Sequence, residues 1–182
     1  MNHFLPTKAF LTGGFGKHKE KLVSFEQALR NAEIAPFNLV KVSSIFPPYC
    51  QLISKEEGLK ILQPGQVVFV VMSENSTDEP QRLISASIGV AIPSEPSLYG
   101  YLAEHEGFGV SEKEVGSYTE YLAAEMLATK MGQNLIDTNP VEGGFKVSSG
   151  LTLKTLNNTQ VAQGEHGMWT TVLAAAVLVI ES

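Results

Sequence analysis

Apolar and polar positions along the chain follow two periods. Phe25, Ala28, Leu29 and Ala32 recur at three- and four-residue spacing, as on one face of a helix. The same spacing places Val115, Tyr118, Leu122 and Met126 on one stripe. Each pattern follows a serine with Gln or Glu three residues on: Ser24 in "SFEQ" and Ser111 in "SEKE". A third such start is Ser54 in "SKEE". There the serine can accept the N3 amide while the N3 side chain reaches back. The predicted helices run from about Phe25 to Ala32, from Ser54 to near Leu62, and from Glu112 to Met131, with Gly132 as the stop. Between them lie strand patterns: "AFLTGG" from near Lys8, "FNLVKVS" from Phe37, "QVVFVVMS" over 66–73, "RLISASIGVAI" from Arg82, "SLYGYLAEHEG" from Ser97, "GFKVSSGLTLKTL" and "GMWTTVLAAAVLVI". The run at 66–73 is apolar without alternation, which predicts burial of both faces. The last run contains three alanines that would also suit a helix, but its β-branched flanks favour a strand. "SENSTDEP", from Ser73 to Pro80, reads as a polar, mobile loop. Helices alternate with strands early and strands dominate later, so the fold class is α/β, with helices covering sheet faces in one domain.

Composition narrows the setting. At 182 residues with 43% hydrophobic content and mean hydropathy near zero, the chain is expected to be a soluble globular protein. Its opening residues lack a secretory signal pattern. The longest apolar run, Val172 to Ile180, is shorter than the roughly 20 residues a membrane helix needs. Cys50 is the single cysteine, which excludes an internal disulfide and points to a reducing cytoplasm. A net charge of −6 argues against nucleic acid and anionic membrane as partners and suits a cationic small molecule. "TGGFGK", Thr12 to Lys17, does not have the spacing of a phosphate-binding loop and reads instead as a glycine-rich loop at a site entrance. His18, His105 and His166 lack metal-ligand spacing, and Met168 and Trp169 read as core.

The tetrapeptide "KVSS" occurs twice, ending at Ser44 and at Ser149. A serine can cut the peptide bond before it if that bond is held still, its hydroxyl sits over the preceding carbonyl, and a polar group stabilises the oxyanion. Ser43-Ser44 follows an apolar, buried-looking strand and precedes Ile45-Phe46-Pro47-Pro48, whose prolines stiffen the chain. Ser148-Ser149 is followed by Gly150, which relaxes the backbone. The first pair is therefore the candidate. On local grounds alone, two serines at a strand end more often cap a helix or a turn.

"FNLVKVSSIFPP" resembles the self-processing site of pyruvoyl-dependent arginine decarboxylases. "FLTGGFGKHKEKLVSFEQALRNAEI", "ASIGVAIP", "YGYLAEHEGFG" and "GMWTTVLAAAV" resemble the same family in the same order, so the likeness covers nearly the whole chain. It implies a four-layer α/β/β/α sandwich, self-cleaved between Ser43 and Ser44 into a small chain, 1–43, and a large chain, 44–182. Ser44 would attack the Ser43 carbonyl to form an ester, and elimination and hydrolysis would leave a pyruvoyl group at the new amino terminus. The implied reaction is decarboxylation of L-arginine to agmatine and carbon dioxide, with no metal and no pyridoxal phosphate. Polyamine biosynthesis and acid resistance by proton consumption are equally compatible with it.

The resemblance also assigns roles. Glu104, the first acid of "EHE", would be the proton donor, which requires burial or a neighbouring anion to favour its protonated form. Tyr101, Leu102, Phe108 and Glu106 are the sequence neighbours available for this; an exposed strand-end carboxylate is the alternative. Asn38 matches the family's asparagine upstream of the cleaved bond and would hydrogen-bond during processing or catalysis. Strand alternation turns it away from Ser43, so a bend or a neighbouring subunit would have to bring it close, and a strand-edge amide bound to backbone is the other reading. Glu26 stands where family members carry Asp and would meet the cationic end of the substrate beside Ser43. Its extra methylene leaves the preferred cation open, and locally it reads equally well as a helix N-terminal acid. The implied assembly is a homotrimer, or two trimers as a hexamer, with sites between neighbours. The competing expectations are a pyruvoyl decarboxylase of another amino acid and an uncleaved oligomeric homologue.

Overall fold

The computed structural model describes residues 4–138 and 143–180. The chain runs β1 (Lys8–His18), α1 (Lys21–Asn31), β2 (Asn38–Lys41), β3 (Ile45–Phe46), β4 (Gln51–Leu52), α2 (Lys55–Ile61), β5 (Val67–Thr77), β6 (Leu83–Ile92), β7 (Gly100–Phe108), α3 (Glu112–Lys130), β8 (Gly144–Lys146), β9 (Thr152–Gln163) and β10 (Trp169–Val179). The strands form two five-stranded sheets, ordered β2-β5-β10-β1-β4 and β3-β7-β6-β9-β8.

Three apolar layers hold the elements together. Phe10, Ala28, Ile34, Val70 and Leu173 lie between the first sheet and helices α1 and α2. Val71, Ile88, Val90, Leu102 and Ala174 lie between the two sheets. Ala103, Ala123, Leu127, Phe145 and Leu153 lie between the second sheet and α3. The result is an α/β/β/α sandwich. Consecutive residues such as Val70 and Val71 enter different layers, because a strand alternates faces at every step. That is why the central strands read as apolar without a polar face, and why the alanine-rich final run is a strand with Ala174 and Ala175 on opposite sides.

Several local expectations change. Ser24 does not cap α1: the helix starts four residues earlier than expected, at Lys21 after Glu20, and Ser24 is buried within it. Its hydroxyl bonds Thr171 Oγ1 of β10 and the Lys21 carbonyl, both at 2.7 Å. Lys21, Leu22 and Val23 contain no helix breaker, so the turn propagates upstream, and Glu26 lies in the helix interior rather than its first turn. "TGGFGK" is strand, not loop: a Cβ on Gly14 or Gly16 would collide with the α1 backbone at Ala28 or Ser24, so the glycines let α1 rest directly on β1. "SENSTDEP" is half strand, since β5 continues to Thr77 paired with Thr170 of β10. On α3 the buried stripe is Val115, Thr119, Ala123 and Leu127, while Tyr118 is exposed. Small residues win that face because the helix crosses β6 at Gly89, where the Thr119 carbonyl occupies the space of a side chain. Met168 and Trp169 are half-buried rather than core, with the Lys21 ammonium 5.1 Å from the indole centroid.

Candidate active site

The first serine pair lies where the chain crosses from one sheet to the other. β2 is an exposed edge strand, not the buried one its apolar residues suggested: it pairs only with β5, in parallel. The segment is held by hydrogen bonds instead. Val42 N–H donates to Val70 O of the first sheet at 2.9 Å, and Leu102 N–H of the second sheet donates to Ser44 O at 2.9 Å. Lys41 is tied to Glu74 by an ion pair at 2.9 Å. Past the serines, β3 pairs with β7, Ile45 opposite Tyr101 and Phe46 opposite Gly100, and Phe46 is buried between the sheets. The Ser43–Ser44 peptide is thus suspended between two anchored neighbours.

Continuing that register puts Ser44 opposite Leu102, with Glu104 two residues along the same face of β7, a diagonal that side chains bridge readily. The Ser44 hydroxyl donates to Glu104 Oε1 at 3.0 Å. The sequence separates these two residues widely, and the sheet brings them into contact. Glu104 and Glu106 share the face of Leu102 and are exposed, whereas Tyr101 and His105 point toward α3, His105 meeting Tyr118 at 4.8 Å between centroids. Tyr101 is therefore not an apolar neighbour of Glu104. The Ser43 carbonyl accepts a 2.9 Å hydrogen bond from Ile45 N–H, which closes a three-residue turn on Ser44. Nothing in the sequence signalled this contact, because its donor is backbone.

Two cavities flank the segment. One of about 320 Å³ is lined by Phe4, Val42, Ser43, Ile45 and Phe69. The other, about 350 Å³, is lined by Phe46, Cys50, Ile92 and Leu98. Burial pushes the Cys50 thiol up to about 12, so it stays protonated and is no nucleophile at neutral pH.

The remaining sequence-predicted residues do not join this contact within one chain. Asn38 sits at the start of β2, where its side-chain amide donates to Gly65 O at 2.7 Å. Glu26 lies on α1, across the first sheet. One of its oxygens accepts from Arg30 Nε at 2.6 Å, and the other, Oε2, is buried without a hydrogen-bond partner. The second serine pair forms the exposed turn between β8 and β9, with Gly150 at φ 86°. Ser149 N–H donates to the Gln133 side-chain oxygen there. Among the described residues no group of three or more His, Cys, Asp or Glu is arranged to hold a metal ion.

The model of the family described as pyruvoyl-dependent arginine decarboxylase matches residues 8–182. A protein of Chlorobium limicola named as a probable pyruvoyl-dependent arginine decarboxylase is 55% identical over 178 residues, covering 96% of this chain and 98% of its own. A Thermoplasma volcanium protein named pyruvoyl-dependent arginine decarboxylase is 48% identical over 183 residues, with both chains covered in full. One of the same name from Nitrosopumilus maritimus is 50% identical, covering 95% of this chain and 96% of its own. With the two-sheet sandwich and a serine pair held against a carboxylate, these matches show that the chain belongs to the pyruvoyl-dependent arginine decarboxylase family.

Proposed function

We propose that this chain cuts itself between Ser43 and Ser44, carries a pyruvoyl group derived from Ser44, and decarboxylates L-arginine to agmatine and carbon dioxide. The observation that carries the reading is the contact of Ser44 with Glu104: the residue that must become the prosthetic group already touches a carboxylate that can return a proton. The surroundings fit such a group, since Ser44 is half-buried, its carbonyl is bound by β7 and an open cavity reaches Ser43. When formed, the pyruvoyl ketone supplies the electron sink that loss of carbon dioxide requires.

The chain's own residues supply the rest. Glu104 Oε1 holds the proton to be delivered at the former α-carbon. Its exposure in a single chain means that substrate, or a neighbouring subunit, provides the desolvation. Glu26 Oε2 offers an unused, buried acceptor suited to a guanidinium, a planar group that carboxylates bind well. Asn38 acts as a positioning residue, pinning the start of β2 through Gly65. Glu26 and the Ser44–Glu104 pair lie on different layers, so a site containing all of them is built between subunits. Exposed apolar residues beside the β2 edge, Phe4, Val40, Ile45 and Val67, support a homotrimer or a pair of trimers. No helix among the described residues is long and apolar enough to cross a membrane, and a cytoplasmic location is proposed.

Mass spectrometry of the purified protein tests the reading. Cleavage at the proposed bond divides the 19.7 kDa chain into pieces of about 5 and 15 kDa, the larger beginning with pyruvoyl. Ser44→Ala should remain intact and inactive. Carbon dioxide should be released from arginine and not from histidine, aspartate or ornithine; an intact chain with full arginine decarboxylase activity would refute the mechanism.

A further inference from the structure

We infer that the backbone N–H of Ile45 is the oxyanion donor for self-cleavage, and that the turn it closes over Ser44 holds the scissile carbonyl for attack. This rests on the proposed cleavage at Ser43–Ser44.

The geometry points to this donor. Ile45 N–H lies 2.9 Å from the Ser43 oxygen, the atom that takes negative charge when the Ser44 hydroxyl adds to its carbon. Ser44 has negative φ, so the three-residue turn is the inverse form, the common variety at strand ends. The Asn38 amide, expected to hydrogen-bond during processing or catalysis, is engaged with Gly65 O instead. The Ile45 N–H is also free of sheet duty. Leu102 N–H bonds Ser44 O, which makes Ile45 and Tyr101 a non-hydrogen-bonded antiparallel pair. In such a pair the Ile45 N–H points away from β7, back toward Ser43. The chain thus places one donor on the reacting carbonyl at no cost to the ladder, while Val42 and Ser44 are fixed by opposite sheets.

The step this serves balances without any co-reactant. A bond forms between Ser44 Oγ and the Ser43 carbonyl carbon, and the bond from that carbon to the Ser44 nitrogen breaks. The hydroxyl proton ends on the released amine. Nothing is oxidised or reduced. The Ile45 N–H holds the carbonyl oxygen while its charge rises and falls.

The test compares self-cleavage rates of freshly folded full-length chains by mass spectrometry. Ile45→Val keeps the N–H and measures what a change of side chain alone does to the rate, as the reference for the next variant. Ile45→Pro removes the N–H without removing a ladder bond and should cleave about a hundredfold more slowly or worse, the loss expected for one oxyanion donor. Because a proline ring also restricts Ser44, a ligated full-length chain with an ester oxygen in place of the residue 45 amide nitrogen provides the decisive comparison. It lacks the donor and adds no ring, and should show the same retardation. Cleavage of the ester-containing chain at the unaltered rate would overturn the inference while leaving the proposed function intact. An unaltered chain that never cleaves at this bond would instead remove the reading beneath it.

Discussion

The Ser44 hydroxyl and the Glu104 carboxylate touch before any chemistry has occurred, and this separates two roles that one residue can play. Accepting the hydroxyl's hydrogen bond requires only an oxygen lone pair, which a glutamine amide also offers. Returning a proton during turnover requires an acid. Glu104→Gln should therefore still mature into two fragments, while its decarboxylation rate falls by about 10²–10⁴, the usual contribution of a positioned general acid. A fully active Glu104→Gln enzyme, measured by carbon dioxide release, would remove Glu104 from that role. Glu26 presents a different case. Arg30 occupies one oxygen and leaves the other buried and unpartnered. If that oxygen receives the substrate's guanidinium, Glu26→Gln forfeits a hydrogen bond between charged groups, about 1.5–3 kcal/mol. The expected result is a KM for arginine raised roughly ten- to hundredfold, with maturation unaffected; an unchanged KM would exclude Glu26 from substrate binding. At this scale the sequence drew attention to serine pairs and acids, because their side chains carry recognisable chemistry. It was silent on Ile45, whose proposed contribution is an amide hydrogen that every non-proline residue possesses.

Helix starts show how far local patterns reach. Ser54 and Ser111 form the reciprocal caps that their sequences predict, each serine accepting from the N3 amide and each N3 glutamate reaching back to the cap. Ser24 carries the same Ser-x-x-Gln spacing and does not, because its hydroxyl has a buried partner, Thr171, contributed from near the far end of the chain. A window of a few residues cannot register that partner. Hydrogen bonds from the capping serine hold both glutamate carboxyls below their usual range: the backbone bond leads for Glu57, the side-chain bond for Glu114. A carboxyl depressed on folding stabilises the fold above its unfolded titration point, and that contribution is lost as pH falls through the lowered folded value. Loss of the N-cap hydrogen bond in Ser111→Ala should cost about 1 kcal/mol at neutral pH, lowering Tm by about 2–4 °C for a chain of this size. The difference between variant and unaltered protein should shrink on acidification below about pH 4, where an ordinary glutamate is protonated. A deficit that stays constant down to pH 3 would mean that the charged cap contributes nothing.

At the scale of the whole molecule, the strand patterns were legible but their pairing was not. Which strands share a sheet is decided by contacts between distant segments, such as β1 against β10 along its full length. The same long-range assembly makes β2 an edge, although its residues looked fit for the interior. That edge leaves Val40 40% exposed on the strand that leads into the serine pair, and an exposed apolar edge of this kind invites a second chain. The layer arrangement gives the association a consequence that can be measured separately from maturation. Ser44, the Ser43 carbonyl, the Ile45 N–H and Glu104 all meet within one chain, so the proposed self-cleavage should need no partner. Glu26 sits on the opposite side of the first sheet, so turnover that uses it as proposed should need one. A charge placed on the edge, Val40→Glu, should shift the protein toward monomer in size-exclusion chromatography with light scattering. The monomer should still yield fragments of about 5 and 15 kDa, yet release carbon dioxide from arginine at least tenfold more slowly, with activity recovering as protein concentration drives reassociation. A monomer that decarboxylates arginine at the rate of the unaltered assembly would show that one chain holds the complete site.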